Sequence, residues 1–281
     1  MTLRLTAITR YPIKSCRGHP VDEAVVEPWG LAGDRRWMLV DDRGCVVTAR
    51  EHPQLVLVTP EFTPDGLLVS APGMAPLRVY TPHGATLWNV EVFSSVVAAC
   101  PAAAEAHAWF SGVVGVSVRL VYLDDPTRRR PDPAYSRARD RVSFADGYPV
   151  LLATEESLAA LNNLIATGPR IGEGPVSMTR FRPNLVVAGA TAWAEDRWRV
   201  LRIGAAVFRA VKGCSRCVLT TVDPETAATG KEPLATLVRH RRWDGKSWFA
   251  INLIPDFPGA TLRLGDEIEI VEQVATTEPL R

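Results

Sequence analysis

Short runs in which apolar and polar residues alternate, separated by turn residues, recur along most of this chain. They are clearest at 36–50, 86–93, 198–213 and 266–272. In a strand, successive side chains point to opposite faces, so alternation lets one face pack on a core while the other meets solvent. Segment 36–50 also predicts a β-hairpin whose arms meet around Asp42-Arg43-Gly44. The pattern therefore predicts a mainly β protein.

Helical periodicity is restricted to three short segments, 102–113, 155–166 and 232–241. In the second segment, leucines recur on one face, two glutamates occupy the first turn, and Thr154 is placed to cap the N-terminus. None of the three segments is long enough for a coiled coil. The sequence therefore predicts only a few short helices.

Residues 123–140 form the strongest break in composition, because they are polar, contain proline and lie between two β-rich regions. Two interpretations are open: a solvated linker between domains, or a flexible loop near a site. A chain of 281 residues is long enough for one large domain or for two ordinary domains with cores of their own. We place a boundary near residue 125, which gives predicted domains 1–125 and 126–275.

Charge and motif content argue against several classes of protein. The formal net charge is +1, whereas binding through nucleic-acid phosphates requires a strong basic excess, so we expect no nucleic-acid partner. The absence of G-x-G-x-x-G, P-loop and G-x-S-x-G motifs argues against ordinary nucleotide-binding and serine-hydrolase functions. Among 32 basic residues only Lys14, Lys212, Lys231 and Lys246 are lysines, which singles out each of them for attention.

The chain carries no signal for a membrane or for secretion. Its N-terminus lacks the apolar core of a secretory signal, and nowhere do about 18 uncharged apolar residues follow one another. We therefore expect no membrane partner and a cytoplasmic location. The five cysteines do not form the pattern of a disulfide framework, and we expect them to be reduced.

Cys214 and Cys217 lie three residues apart in VKGCSRCVLTTVDP, and several kinds of site are open for them. A structural zinc site needs four ligands, but the other cysteines and the histidines form no second close pair. A thioredoxin-like redox pair would open a helix, whereas the β-branched residues after Cys217 predict a strand. In an extended segment the two cysteines face opposite ways, which favours one working thiolate. Two ordinary half-buried cysteines remain an alternative.

Polar side chains at predicted strand ends are candidates for ligand binding. Lys14 and Ser15 leave a strand together and suit an anionic oxygen such as phosphate, although a surface turn is the alternative. Arg35 follows two glycines, where the backbone can approach a ligand closely or simply form a turn with an Asp–Arg pair. Arg182 and Asn184 flank a proline before a strand, where they could anchor a planar ligand or merely cap the strand.

Taken together, blocks spread from about residue 3 to residue 272 resemble the MOSC family, named after the molybdenum cofactor sulfurase C-terminal domain. The most specific combination is FRPN upstream of CSRCVLTTVDP. Further matching blocks include YPIKSCRG, GLAGDRRWMLVDDRG, AEDRW and KEPLATL. The resemblance implies a MOSC-type β-barrel preceded by the N-terminal β-barrel-like domain that often accompanies it, and it is closest to the members that reduce amidoximes.

The resemblance also implies a cofactor, the molybdenum cofactor (Mo-molybdopterin), and the residues that hold it. Cys217 would supply the protein thiolate to molybdenum, as metal ligand and catalytic residue, because a soft thiolate suits a sulfur-rich centre. Thr154 would offer its hydroxyl and the free amides of a helix N-terminus to the phosphate. The full set of implied cofactor-binding residues is Lys14, Ser15, Arg35, Arg50, Asp146, Thr154, Arg182 and Asn184.

The implied reaction is the two-electron reduction of a small N-hydroxylated substrate, such as an amidoxime or a hydroxylamine, to the amidine or amine and water. No cysteine follows Cys217, so electrons are expected from a separate ferredoxin-, flavodoxin- or cytochrome-type protein with its reductase. No N-terminal anchor is evident, which again favours the cytoplasm. Two other functions stay open: a carrier of the molybdenum cofactor or of sulfur without turnover of its own, and a structural β protein that binds zinc.

Overall fold

Strands make up most of the regular structure of the computed structural model, which describes residues 2–84 and 86–275. The strands of the first half are β1 (Leu3–Arg10), β2 (His19–Val21), β3 (Glu23–Glu27), β4 (Gly30–Leu31), β5 (Trp37–Val40), β6 (Val46–Val47), β7 (Thr59–Thr63), β8 (Gly66–Ala71), β9 (Met74–Tyr80), β10 (Trp88–Val92), β11 (Ser95–Pro101) and β12 (Arg119–Tyr122). Those of the second half are β13 (Val150–Thr154), β14 (Leu185–Ala188), β15 (Trp198–Ile203), β16 (Ala206–Ser215), β17 (Arg242–Trp243), β18 (Lys246–Pro255), β19 (Thr261–Arg263) and β20 (Glu267–Gln273). The α-helices of the described residues are α1 (Ala104–Val114), α2 (Glu155–Ala166) and α3 (Leu234–His240). The mainly β fold predicted from alternation is confirmed.

Seven strands close a barrel in the order β13-β14-β1-β20-β15-β16-β18, and β18 pairs with β13 to complete it. β13 and β14 run parallel, and the other neighbours run antiparallel. Leu5, Leu152, Leu201, Phe208 and Leu253 are among the buried side chains of the barrel core. Because closure gives each barrel strand a partner on both sides, it fixes where the strand ends and their loops lie.

The first half of the chain forms a second unit, which we call the N-terminal module. It contains a five-stranded sheet, β10-β11-β12-β5-β6, and a three-stranded sheet, β7-β8-β9. Phe110 of α1 is buried in the same cluster as Leu39 and so packs the helix onto these strands. In the predicted hairpin, Leu39 pairs with Val47, and Gly44 has the positive φ of 84° that its turn requires. The hairpin prediction is therefore confirmed.

The start of the chain pairs with its end rather than with the N-terminal module. β1 lies between β14 and β20 in the barrel, and β3 pairs with β19 through Ala24 and Leu262. The predicted domain boundary near residue 125 falls between β12 and β13. It stays a proposal, and a cut there would separate β1 from its barrel partners. Composition marks loops, but it does not reveal which distant strands pair.

The three predicted helices are present. α2 begins and ends at the predicted residues, and Thr154 caps it by accepting a hydrogen bond from the Ser157 amide at 3.2 Å. α1 and α3 differ from the predicted segments by one or two residues at each end. Among the described residues, no α-helix combines the length and the apolar character that crossing a membrane would need.

The strand predicted after Cys217 is wrong, because Val218–Thr221 forms a 3-10 helix. The Thr220 hydroxyl donates to the Cys217 carbonyl at 2.9 Å, and the Thr221 hydroxyl donates to the carbonyl three residues before it at 2.8 Å. Such local bonds offer the backbone an alternative to pairing in a sheet. Local hydrogen bonding therefore overrides the strand preference of β-branched residues here.

Candidate functional site

Loops at one end of the barrel and residues of the N-terminal module enclose a pocket of about 480 Å³, which we call the central pocket. Its acidic lining residues are Asp132 and Asp146. Its basic lining residues are Lys14, Arg35, Arg50, Arg182, Lys212, Arg216 and Lys246. Positive charge gathered on the walls of a concave, partly desolvated site attracts anions. The central pocket is therefore suited to an anionic ligand.

Lys14 and Ser15 follow β1, and each is only 5% exposed. The Lys14 ammonium donates to the Phe144 carbonyl at 2.8 Å and forms an ion pair with Asp146. Burial lowers the pKa of Lys14 to about 8, against the opposing charge of Asp146. Ser15 Oγ accepts a hydrogen bond from the Ala49 amide at 3.0 Å, which leaves its hydroxyl hydrogen for another acceptor. This segment therefore brings a buried ammonium and a free donor to the pocket wall.

Asp146 acts as a counter-ion at the open side of the pocket, with its side chain 62% exposed. It pairs with Lys14, and its Oδ2 lies 3.2 Å from Arg50 Nη2. Desolvation alone would raise the pKa of Asp146, but Lys14 and Arg50 outweigh it and hold that pKa well below its ordinary value. The carboxylate therefore stays ionised and holds two basic side chains in place.

Arg35 and Asn184 are both held by Asp34, whose side chain is fully buried. Asp34 accepts hydrogen bonds from Arg35 Nη1 at 2.6 Å, Asn184 Nδ2 at 3.0 Å and the Tyr11 amide at 2.7 Å. Asn184 Oδ1 in turn accepts a bond from Arg35 Nη1 at 3.0 Å. The structural Asp–Arg pair, one of the two interpretations of this Gly-rich turn, is therefore present. The same pair fixes Arg35 at the wall of the pocket.

Arg182 carries a buried guanidinium nitrogen at the pocket wall. Its φ of 56° is left-handed, and its guanidinium lies 4.3 Å from the ring centroid of Tyr11. Its Nη2 atom is buried and has no hydrogen-bond partner among residues 2–84 and 86–275, and burial lowers the pKa of Arg182. A buried donor without an acceptor costs free energy unless a ligand supplies one. Arg182 is thus placed to contact a bound anion.

Both cysteines of the CSRC segment line the central pocket. Arg50 Nε donates to Cys217 Sγ at 3.4 Å, and Arg216 Nη1 donates to Cys214 Sγ at 2.8 Å. The expectation that the two thiols face different ways is wrong, because β16 ends at Ser215 and its alternation does not reach Cys217. Arg216 also lines the pocket. Each thiol therefore has a guanidinium partner of its own.

The described residues offer little else that could bind a metal. All five cysteines are free. Within residues 2–84 and 86–275, no three His, Cys, Asp or Glu side chains lie close enough to hold a metal ion together. A metal in the central pocket would therefore need most of its ligands from a cofactor or from solvent.

Thr154 is not brought into the central pocket with the other predicted residues. Its side chain is fully buried, and its hydroxyl lies 2.8 Å from Ser157 Oγ and 3.2 Å from Glu195 Oε2. A neighbouring carboxylate repels a phosphate, and the hydroxyl is already occupied in capping α2. The geometry therefore gives no support to the phosphate-binding role of Thr154, which stays a prediction, whereas its capping role is confirmed.

The buried Glu195 gives a pH-dependent prediction. Ser157 Oγ donates to its Oε2 at 2.8 Å, while its Oε1 is buried without a hydrogen-bond partner in the described residues. Burial raises the pKa of Glu195 from 4.5 to about 7, although the Ser157 bond opposes this. The folded protein thus holds this proton more tightly than the unfolded chain does. Its contribution to the free energy of unfolding should therefore fall as pH rises from about 4.5 to about 7, and stay low above that.

Glu195→Gln tests this effect, because glutamine resembles the protonated acid and does not titrate. We expect the variant to be more stable than the wild type at pH 8, by on the order of 2 kcal/mol, and to lose this advantage near pH 4.5. Urea unfolding of both proteins at the two pH values measures the difference. A stability difference that is the same at both pH values would contradict the assignment.

Several residues of the central pocket were not among the predicted binding residues. Lys212 and Lys246 join Lys14 there, so three of the four lysines line one pocket, and their scarcity was the available signal. The Lys212 ammonium lies 3.7 Å from the ring centroid of Tyr135, in the segment 123–140. Phe93 also lines the pocket, from the turn between β10 and β11, and no sequence pattern marked it.

A closed barrel, a second β module and a basic, thiol-bearing pocket lined by both define a two-module β-barrel protein. The chain belongs to the MOSC family: residues 2–117 match the MOSC N-terminal beta barrel domain, and residues 139–269 match the MOSC domain. The resemblance predicted from the sequence blocks is therefore confirmed.

Three relatives show how far the similarity extends. Mitochondrial amidoxime-reducing component 1 of Homo sapiens is 34% identical over 282 residues, covering 94% of this chain and 81% of that protein. Mitochondrial amidoxime reducing component 2 of Bos taurus is 36% identical over 245 residues, covering 83% of this chain and 71% of that protein. Molybdenum cofactor sulfurase of Oryza sativa subsp. japonica is 31% identical over 268 residues, covering 89% of this chain and 32% of the sulfurase. The chain is therefore similar over most of its length both to amidoxime-reducing components and to a molybdenum cofactor sulfurase.

Proposed function

We propose that this protein is a molybdenum-cofactor-dependent reductase of N-hydroxylated compounds, such as amidoximes and hydroxylamines, with Cys217 as the protein ligand of molybdenum. The observation that carries the proposal is the Cys217 thiol at the wall of a basic pocket, with Arg50 Nε 3.4 Å from its sulfur. The 34% identity to a human amidoxime-reducing component over 94% of this chain supports the same reaction class.

The pocket fits the cofactor in charge and in donor chemistry. The pterin phosphate and the dithiolene-bound metal are anionic, and two buried guanidinium nitrogens of the pocket, Arg182 Nη2 and Arg216 Nε, have no acceptor in the described residues. A bound anion would satisfy donors of this kind. A cysteine sulfur is the kind of soft ligand that a sulfur-rich molybdenum centre takes.

The predicted binding residues divide into two groups by what their atoms already contact. Lys14, Ser15 and Arg182 keep donors that a phosphate or pterin oxygen can accept. Arg35 donates to Asp34, to Asn184 Oδ1 and to the Arg182 carbonyl. Asn184 Nδ2 donates to Asp34 and to the Thr9 carbonyl. These two residues therefore shape the wall and contribute fewer contacts to the ligand. The first group would bind the cofactor, and the second would position it.

The neighbours of Cys217 would then have distinct roles. Arg50 bonds to the Cys217 sulfur and to Asp146, so it would hold the thiolate in one orientation. Asp146 would keep Arg50 and Lys14 in place, as the ionised counter-ion of both. Cys214, paired with Arg216, would lie in the pocket wall as a neighbour and not as a ligand.

The reaction converts N–OH into N–H and water, which consumes two electrons and two protons. The bound cofactor would supply the redox chemistry. Asp146 stays ionised and has no proton to give. The electrons would come from a separate ferredoxin-, flavodoxin- or cytochrome-type partner, and a cytoplasmic location remains a prediction.

A direct test is to express the protein in a host that makes the cofactor and to measure metal, pterin and turnover. We expect molybdenum bound in proportion to protein, and reduction of benzamidoxime to benzamidine with a chemical electron donor such as reduced viologen. Protein from a molybdenum-starved host is the control and should lack both. A molybdenum-loaded protein that turns over none of several N-hydroxylated compounds would instead identify a cofactor or sulfur carrier.

A further inference from the structure

A second cavity of about 610 Å³ adjoins the central pocket, and we call it the outer cavity. It is lined by residues 93–97 of the β10–β11 hairpin, by residues 128–133 and by residues 146–147. Four residues line both spaces: Phe93, Asp132, Asp146 and Gly147. A ligand that extends out of the central pocket would therefore pass these side chains and enter the outer cavity.

Phe93 lies in the turn of a hairpin and has a conformation that does not suit it. Val92 pairs with Ser95, which leaves Phe93 and one more residue as a two-residue turn. The φ of Phe93 is 54°, in the left-handed region that glycine and asparagine favour in such turns. An aromatic residue with a positive φ destabilises the turn, so turn formation does not explain why phenylalanine occupies this position. The reason must lie in what the ring contacts.

The ring contacts the charged wall next to Cys217. Its centroid lies 5.2 Å from Arg50 Cζ and 5.0 Å from Lys14 Nζ, both within cation–π distance. Arg50 also donates to the Cys217 sulfur at 3.4 Å. The Arg50 side chain therefore contacts both the Phe93 ring and the Cys217 thiol. Phe93 remains 40% exposed.

The hairpin side of the outer cavity combines three apolar side chains with the hydroxyls of Ser94 and Ser95. Besides Phe93 it presents Val96, which is 68% exposed, and the buried Val97. The opposite side carries the basic residues 128–130. An exposed ring in the same cavity as one exposed valine, at the edge of a charged pocket, is a surface on which a planar apolar group of a ligand can stack.

We propose that Phe93 is a specificity-determining residue, on which the aromatic ring of an N-hydroxylated substrate stacks in the outer cavity while its N-hydroxyl group reaches the central pocket. This rests on the proposed reductase function for the identity of the substrate. The N-terminal module would then select the substrate through Phe93, whereas the barrel would supply Cys217.

Phe93→Gly tests the proposal, because glycine tolerates the positive φ and removes the whole side chain, ring included. We expect the KM for benzamidoxime to rise about tenfold, the scale of one lost stacking contact, with kcat changed less. The KM for acetamidoxime, which has no ring, should stay within about twofold. Molybdenum content should match the wild type, and thermal unfolding should show a folded protein that is no less stable than the wild type. Phe257→Ala is the matched control, since Phe257 is 66% exposed and lines neither cavity.

Binding of benzamidoxime, measured by calorimetry without an electron donor, separates this proposal from the reductase proposal. If the wild type binds benzamidoxime and Phe93→Gly weakens that binding, the stacking role stands even if no reduction occurs. If both substrates change in parallel in the variant, or if the wild type reduces benzamidoxime and the variant does so equally well, the stacking role is overturned and the reductase is not. Failure of the wild type to bind benzamidoxime at millimolar concentration overturns the stacking role as well.

Discussion

Replacing Cys217 with alanine is expected to remove molybdenum from the purified protein and to abolish amidoxime reduction with it. Loss of a residue that only supports a metal ligand typically costs about 10- to 100-fold in metal affinity, so loss of the ligand itself should cost at least that. The measurement is metal analysis of protein from a cofactor-competent host, together with benzamidoxime turnover. Serine at 217 should not rescue binding, because a hard oxygen replaces a soft sulfur.

Cys214→Ala is the matched control for this experiment. Cys214 lines the same pocket, but its sulfur contacts Arg216 and not Arg50. We therefore expect the Cys214 variant to keep most of its molybdenum. Loss of molybdenum in the Cys214 variant alone would mean that Cys214, and not Cys217, is the molybdenum ligand. Zinc in place of molybdenum, lost equally in both variants, would replace the reductase proposal with a zinc site.

The β character of the chain and the positions of its strands were predictable, because alternation is local. Barrel closure was not, since the pairings of β1 with β20 and of β13 with β18 join segments far apart in sequence. The pairing of β1 illustrates the limit: its sequence predicts a strand, but nothing in Leu3–Arg10 reveals that it completes a barrel built by the other half of the chain.

Most of the candidate site was predictable for a related reason. Lys14 follows barrel strand β1, and Arg182 and Asn184 precede barrel strand β14, so barrel closure brings them together. Arg35 precedes β5 of the N-terminal module and lines the same pocket. Thr154 also lies at a strand end, but its hydroxyl is in contact with the Glu195 carboxyl, and Thr154 does not line the pocket. Glu195 is far from Thr154 in sequence, so this contact could not be predicted. Strand alternation did not predict the direction of Cys217 correctly, because β16 ends at Ser215 and Cys217 lies beyond it. Phe93 was missed because a turn residue carries no periodicity.

Replacing Asp34 with alanine is expected to be the most destabilising substitution near the pocket. The change would leave three buried donors, from Arg35, Asn184 and the Tyr11 amide, without the acceptor they share. Removing one partner of a buried ion pair typically costs about 3 to 5 kcal/mol of unfolding free energy. Urea unfolding should show this loss, and cofactor content should fall because Arg35 loses its fixed orientation.

Glu269→Ala provides the control for the charge alone. Glu269 pairs with Arg202 at 3.2 Å across two barrel strands, but both side chains are more than half exposed, so we expect a change of at most about 1 kcal/mol. Asp34→Asn should fall between the two, since its amide oxygen can still accept from the Tyr11 amide but no longer balances Arg35. Equal stability losses for Asp34→Ala and Glu269→Ala would contradict this role of Asp34. They would mean that its hydrogen bonds to the Tyr11 amide, Arg35 and Asn184 do not stabilise the pocket wall.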